Sequence, residues 1–426
     1  MKTSPSITTL DPAQAVRRVP RPSLLQKAVL KGFEAIEAGH LTVVVDERRH
    51  EFGRSMDEAV DAVLEVHDDR FWGALALRGS IGAGEAYALG WWGSPAPTDV
   101  VRLMVRNQEA LDRLDSGWAR LSKPFLAAFH RLRRNTEEGS RDNIAAHYDL
   151  SNDFFELFLD PTMTYSSGIF ESEASTLEEA SVAKIDRLCR KLDLRPSDHL
   201  LEIGTGWGGL ALHAAREYGC RVTTTTISRE QHAFASRRVR EAGLEDRITL
   251  LLEDYRKLEG TYDKLVSVEM IEAVGHQYYG EFFEQCGRLL KPHGVMAMQA
   301  ILIADQHFER AARSVDFIQR YIFPGSNIPS TTALLRAATA SSDLRLSHQE
   351  CFGTHYTRTL AAWRERLRER WDEAQELGFE ETFLRLFEFY FHYCEGGFDE
   401  RHIDVAQLTL VKPGARCAPM LGSLAR

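Results

Sequence analysis

The sequence has no Cys-x-x-Cys pair, no run of 18 apolar residues and no excess of positive charge, and each absence excludes a class of protein. Cys189, Cys220, Cys286, Cys351, Cys394 and Cys417 stand far apart, so neither a zinc centre nor a disulfide framework is expected. No other metal site is expected, and reduced thiols fit a cytoplasmic setting. Without a long apolar run there is no candidate membrane-spanning helix, and the first residues lack the apolar core of an export signal. A formal net charge of −10 argues against nucleic acid as a partner, because neutralising phosphates takes a basic face. What the chain does have is length and apolar content. Its 426 residues exceed what one hydrophobic core usually supports, and 44% hydrophobic residues suffice to build two domains.

The stretch Leu201-Glu202-Ile203-Gly204-Thr205-Gly206-Trp207-Gly208-Gly209 organises the rest. An apolar strand over 199–203 ends in glycines that let the backbone turn tightly against a ligand, and 210–216 reads as the helix that follows. The spacing Gly204-x-Gly206-x-Gly208 differs from the Gly-x-Gly-x-x-Gly dinucleotide fingerprint, although Gly209 stands near the third position. A β-branched strand over 221–227 precedes Ser228, the N-cap of the next helix, and a third strand over 248–252 ends in Glu253-Asp254. Strands that end in polar residues gather them at one carboxyl edge, where open α/β sheets bind ligands. This is the pattern of S-adenosylmethionine-dependent methyltransferases. Strands at 263–268, 295–302, 344–351 and 403–411 would complete the sheet, with helices at 143–159, 177–194, 279–290, near 305–321 and at 331–341, and a turn at Pro292-His293-Gly294. The expected fold class is α/β, a seven-stranded Rossmann-like class I methyltransferase sheet with helical insertions, plus a small α+β N-terminal domain.

Where the second strand usually ends in a ribose-binding acidic residue, this chain has Thr226-Ile227-Ser228, with Gln231 one turn on. Four further motifs accompany that variant: His147-Tyr148-Asp149-Leu150-Ser151-Asn152, Tyr165-Ser166-Ser167, Val268-Glu269-Met270-Ile271-Glu272-Ala273-Val274-Gly275 and Tyr321-Ile322-Phe323-Pro324-Gly325. Together they resemble the cyclopropane-fatty-acid synthase family, from about residue 30 to 412. The resemblance implies methyl transfer from S-adenosylmethionine to the cis double bond of an unsaturated acyl chain in a membrane phospholipid. A carbocation would form and be deprotonated to a cyclopropane. Cytoplasmic placement on the inner face of the membrane and a homodimer are also implied. A methyl- or methylene-branching acyl methyltransferase, a C-methyltransferase for a soluble unsaturated molecule, and a binding-only protein are the alternatives.

Residue by residue, the resemblance places Tyr165, Ser166, Gly204, Gly206, Gly208, Thr226, Ile227 and Gln231 around the cofactor, with Glu253 and Asp254 on its adenine side. His147, Tyr279, Tyr321 and Phe323 are expected in the substrate pocket, where aromatic walls exclude water and favour a cation. The family is held to use a bound bicarbonate ion as base, held by Glu, Tyr, His, Cys and a backbone amide. Glu272, Tyr356 and the amide of Ile301 match, whereas Ser167 stands in place of Cys and Gln299 in place of His. Both substitutes still donate hydrogen bonds to an oxyanion, which keeps bicarbonate feasible. Activity is expected to be lost in Glu272→Gln.

The N-terminal part opens with an arm over 1–20, followed by a domain over 21–138 associated in the family with lipid binding and dimer contacts. Its helix at 23–37 is amphipathic and locally basic through Lys27 and Lys31, so it either lies on an anionic membrane or packs on its own domain. Short strands are read at 41–45, near 63–66 and at 71–77, and Gly79, Gly82, Gly84, Gly90 and Gly93 as loop punctuation before Trp91-Trp92. A helix at 124–135 leads to a linker near 138. The catalytic domain is expected over 139–413, with a tail at 414–426.

Overall fold

The computed structural model describes residues 22–54, 60–109, 111, 151–418 and 420. The arm over 1–20, the helix at 124–135, the linker near 138 and His147 lie outside the described residues. The chain divides into two compact units that do not follow chain order. One comprises Met1–Arg133, Arg313–Pro324 and Leu360–Ile403, the other Arg134–Ala312, Gly325–Thr359 and Asp404–Arg426.

The first unit begins with α1 (Pro22–Phe33), β1 (His40–Val45), β2 (Arg48–Gly53), β3 (Asp61–Val66), α2 (Arg70–Ala88), β4 (Trp92–Gly93) and α3 (Pro97–Arg106). Its sheet has the order β2-β1-β3-β4, with β1 and β3 parallel and the other pairs antiparallel. Alternation along β1 buries Leu41, Val43 and Val45. Asp46 and Glu47 close the β1–β2 hairpin with φ of 47° and 65°, the left-handed pair that a two-residue hairpin turn requires.

The strand expected at 71–77 is instead the first half of α2, and Gly79, Gly82 and Gly84 lie inside that helix. Phe71, Trp72, Gly73 and Ala74 are all buried, so the run has no polar face to declare its period. Gly79 adopts φ 53° and ψ −129°, which breaks α2 into two segments. Beyond that break Gly82 passes so close to the Ala74 carbonyl that any Cβ there would overlap it. Trp91 and Trp92 are core residues, and the Trp92 indole donates to the Ala83 carbonyl at 2.9 Å.

The second unit carries α4 (Asn152–Phe158), α5 (Leu177–Lys191), β5 (His199–Ile203), α6 (Gly209–Glu217), β6 (Arg221–Thr226), α7 (Arg229–Glu241), β7 (Ile248–Leu252) and β8 (Tyr262–Val268). It continues through α8 (Tyr279–Leu289), β9 (Leu290–Ile303), α9 (Asp305–Ala311), α10 (Thr331–Ser341), β10 (Arg345–Cys351) and the start of α11 (Gly353–Glu369). After α12 (Trp371–Glu376) and α13 (Glu381–Asp399), both in the first unit, β11 (Ile403–Val411) returns to this sheet.

The seven strands take the order β10-β11-β9-β8-β5-β6-β7, with parallel pairing from β9 through β7 and β10 antiparallel to β11. The chain reverses direction across the sheet at β5, between β6 and β8, and such a switch point opens a crevice at the carboxyl ends of the strands. One apolar layer gathers Phe282, Phe283, Leu289 and Leu334, and a second gathers Leu188, Leu192, Leu210 and Val222. The turn expected at 292–294 is absorbed into β9, because 412 and 414 donate backbone hydrogen bonds to the carbonyls of Gly294 and Pro292, both at 3.0 Å.

No strand or helix was expected over 353–399, which forms α11 to α13. In the first unit α13 buries Phe387, Phe389, Phe391 and Phe398, its Gly396 lies against Val101 of α3, and Glu388 accepts the Tyr87 phenol at 2.7 Å.

Candidate active site

The glycine loop follows β5 at the switch point. Gly204, Gly206 and Gly208 have φ of 100°, 53° and 88°, a region that side chains disfavour. The amides of Gly204 and Thr205 donate to the Thr225 carbonyl at 3.1 and 3.0 Å, which ties the loop to the end of β6. On the outer side, a Cβ on Gly206 would meet nothing within 4 Å. Next to it, the Thr226 hydroxyl donates to Gln231 Oε1 at 2.9 Å and accepts the Ser228 amide at 3.1 Å. Ser228 caps α7 as expected, accepting the Gln231 amide at 3.2 Å. The Glu253 carbonyl accepts the Thr225 hydroxyl. Asp254 grips the Arg256 guanidinium through both oxygens, at 2.9 and 2.6 Å. Burial alone would raise the Asp254 carboxyl, but Arg256 outweighs it and holds the group low.

A second set of polar groups lies where β8 and β9 end. Glu269 immediately follows β8, and its carboxylate accepts three hydrogen bonds: from the Ser167 amide at 3.0 Å, Gln299 Nε2 at 2.7 Å and the Tyr356 hydroxyl at 2.7 Å. Gln299 is fixed in turn by Gln407, whose amide donates to its Oε1 at 3.0 Å, so its NH₂ faces the carboxylate. Glu269 keeps part of its surface open, whereas Ser167 and Gln299 are fully buried. Its backbone has φ 45°, a costly conformation for a residue with a side chain. Three residues on, Glu272 Oε1 accepts the Ile301 amide at 2.5 Å, and Oε2 has no hydrogen-bond partner among the described residues. Burial, with the Glu269 charge second, pushes the Glu272 carboxyl up to about 8.

Behind this cluster Lys184 of α5 is buried and donates to Ser166 Oγ at 2.7 Å. Burial pulls its ammonium down to about 8, opposed by the charges of Glu269, Asp160 and Glu202. Glu202 in β5 is itself pushed up to about 8 by burial, although the Thr224 hydroxyl donates to it at 2.6 Å. Burial likewise raises Glu269, against the pull of Tyr356, Gln299 and Lys184.

The residues expected around an anion therefore come together in two sets: Ser167, Gln299 and Tyr356 converge on Glu269, and Ile301 pairs with Glu272. Tyr165 stacks edge-on against Phe155, with centroids 5.2 Å apart. Tyr279 turns its hydroxyl to Asn327, 3.2 Å from both the carbonyl and the side-chain oxygen. Tyr321 and Phe323 belong to the first unit, where the Tyr321 phenol donates to Glu85 and Phe323 meets Tyr390 edge-on at 6.0 Å. Sequence reasoning missed Glu269 and Lys184. Glu269 carried a signal, a charged residue directly after a strand and three residues before Glu272; Lys184, inside an amphipathic helix, carried none.

A family model described as Mycolic acid cyclopropane synthetase matches residues 135–408. Tuberculostearic acid methyltransferase UfaA1 of Mycobacterium tuberculosis is 39% identical over 353 residues, 80% of this chain and 82% of that protein. The cyclopropane-fatty-acyl-phospholipid synthase of Escherichia coli is 34% identical over 374 residues, 86% of this chain and 93% of that protein. Among solved structures, mycolic acid cyclopropane synthase CmaA1 complexed with SAH and CTAB matches at a TM-score of 0.60 and 35% identity, covering 64% of this chain and 98% of that one. The seven-stranded sheet, the left-handed glycine loop at its switch point and these matches agree: the chain belongs to the mycolic acid cyclopropane synthetase family of S-adenosylmethionine-dependent methyltransferases.

Proposed function

We propose that this enzyme methylates the cis double bond of an unsaturated acyl chain in a membrane phospholipid and closes a cyclopropane ring. The observation that supports this most is the part-open Glu269 carboxylate at the end of β8, beside Met270, whose side chain faces Gly204 of the glycine loop. The open, left-handed turns at Gly204 and Gly206 fit S-adenosylmethionine, which when bound supplies a sulfonium methyl electrophilic enough for alkene π-electrons to attack. Gly204, Gly206, Gly208, Thr226, Ile227, Gln231, Tyr165 and Ser166 hold it, with Glu253 and Asp254 toward the adenine. The remaining task is to take a proton from the methylated cation while water is kept out, and a buried, donor-rich carboxylate is equipped for that. Tyr279 and Glu272 line the same pocket.

The name of the 39% identical relative, a tuberculostearic acid methyltransferase, favours a second reading in which the cation resolves to a methyl- or methylene-branched chain. Mass spectrometry of acyl chains, after incubation with S-adenosylmethionine and vesicles of cis-unsaturated phospholipid, separates the two. A gain of one CH₂ with the double bond consumed is the expected result. A CH₂ gain with the alkene retained selects branching, and activity only on soluble substrates overturns the lipid reading.

The same proposal attaches the protein peripherally to the inner membrane face through α1, as a homodimer. No helix among the described residues is long and apolar enough to cross a membrane. On α1, Leu24 is 62% exposed, with Lys27 and Lys31 also exposed, while Leu25, Val29 and Phe33 face inward. Binding to anionic vesicles is expected to weaken roughly tenfold between about 0.05 and 0.5 M salt, measured by co-sedimentation. Salt-independent binding would count against this attachment.

A further inference from the structure

We propose that Glu269 is the general base of the reaction, its carboxylate standing where the family resemblance leads one to expect a bound bicarbonate ion. The inference rests on the methyl-transfer reading above.

Bicarbonate does not fit the residues present. Ser167, Gln299 and Tyr356, three of the expected ligands, spend their donors on Glu269, and the other two, Ile301 and Glu272, are paired with each other. A free anion placed among them would face the Glu269 carboxylate with no donor left to hold it. The two departures noted in the sequence, Ser167 and Gln299, thereby find a use. Ser167 engages Glu269 through its backbone amide, so no side-chain thiol is needed there. Gln299 offers a neutral amide donor oriented by Gln407.

The backbone and the charges point the same way. Glu269 holds φ 45°, which glycine adopts freely and glutamate at a cost, so the fold keeps a carboxylate where a smaller residue would relax it. The ionisable groups facing Glu269 are Lys184 from α5, Tyr356 from α11 and Glu272 from the short turn after β8; Asp160 and Glu202 face Lys184 in turn. Of the two neighbouring carboxyls, Glu269 receives three donors and Glu272 one, with an orphaned oxygen, so at neutral pH the pair carries its charge on Glu269.

The step balances on these groups. Once the methyl is joined to one alkene carbon and the neighbouring carbon is cationic, a methyl C–H bond breaks. Its electron pair closes the third ring bond and neutralises the cation, and the proton goes to Glu269. Release of that proton to solvent restores the carboxylate.

Three proteins test this: the natural chain, Glu269→Gln and Glu269→Gly, each assayed for lipid methylation in CO₂-depleted buffer and with added bicarbonate against a chloride control. The natural chain is expected to turn over equally in both. Glu269→Gln should lose roughly 10²–10⁴-fold in kcat, the usual contribution of a general base, with S-adenosylhomocysteine affinity within about twofold. Glu269→Gly, which relaxes the backbone and vacates three donors, should be nearly inactive alone and rescued at least about tenfold by bicarbonate. Bicarbonate activation of the natural chain, or normal turnover by Glu269→Gln, overturns the assignment. Thermal denaturation gives a readout independent of substrate. Saturable stabilisation by bicarbonate in Glu269→Gly but not in the natural chain supports it even if no lipid is methylated, a result that would sink only the substrate reading; equal stabilisation of both proteins contradicts it.

Discussion

Lys184→Met is expected to lower the stability of the catalytic unit by about 3 kcal/mol and to move the acid limb of the pH–rate profile upward. Lys184 is the buried cation among Glu269, Asp160 and Glu202, and it anchors Ser166 of the loop proposed to cover the cofactor. Removing one partner of a buried charge cluster costs more than the cluster contributes net, because the acids left behind have neither water nor a counter-ion. For the profile, the sign follows from the Coulomb interaction. The Lys184 charge lowers the Glu269 carboxyl, so its loss raises that group, and activity fails at a higher pH on the way down. Urea denaturation and kcat/KM against pH measure the two effects. Ser166→Ala separates them, since it removes the hydrogen bond and keeps the charge: its acid limb should stay in place whatever happens to the rate. An unmoved limb in Lys184→Met would show that the lysine only packs.

Gly82→Val should be comparably severe for the first unit, at ~3 kcal/mol, with no direct effect on the glycine loop or Glu269. A Cβ at this position would overlap the Ala74 carbonyl, which is backbone and unable to rotate away. The only relief is to separate the two segments of α2, whose buried residues include Phe71, Trp72, Ile81 and Tyr87. Gly90→Ala is the matched control for side-chain size, because nothing lies within 4 Å of its Cβ position, although its φ of 70° adds a small backbone cost. Melting of both variants by near-ultraviolet circular dichroism, which reports the buried Trp72 and Trp92, reads the difference. A Gly82→Val protein with unchanged melting would mean that α2 is not packed as described.

The sheet was legible because its signals are local. The β-branched run 221–227, the glycine-dense turn at 204–209 and the Ser228 cap each specify structure within a few residues, and all seven strands of the catalytic sheet appear where the periodicity placed them. Residues 71–77 failed for the converse reason. They are apolar on every side, and a short run of that kind reads equally as buried strand or buried helix until the neighbours that cover it are known. The grouping of 313–324 and 360–403 with the N-terminal segment is likewise a tertiary fact, with nothing local in Tyr87 to announce its bond to Glu388, 301 positions away.

At the site, Ser167, Gln299, Tyr356, Glu272 and Ile301 were all found through the family motifs. Which carboxylate they serve was not. Ser167 and Tyr356 are 102 and 87 positions from Glu269 in sequence, so their convergence on it, rather than on Glu272, is visible only once the sheet brings the strand ends together. A motif that already contained one glutamate with an assigned role drew attention away from the other.

The central claim is that the base is part of the chain. The most direct measurement is the initial rate of lipid methylation by the unaltered protein, with bicarbonate titrated upward from CO₂-depleted buffer at constant pH and ionic strength. A flat line is the result predicted here. A rate that starts near zero and rises to saturation with bicarbonate would show that a bound anion does the work assigned to Glu269.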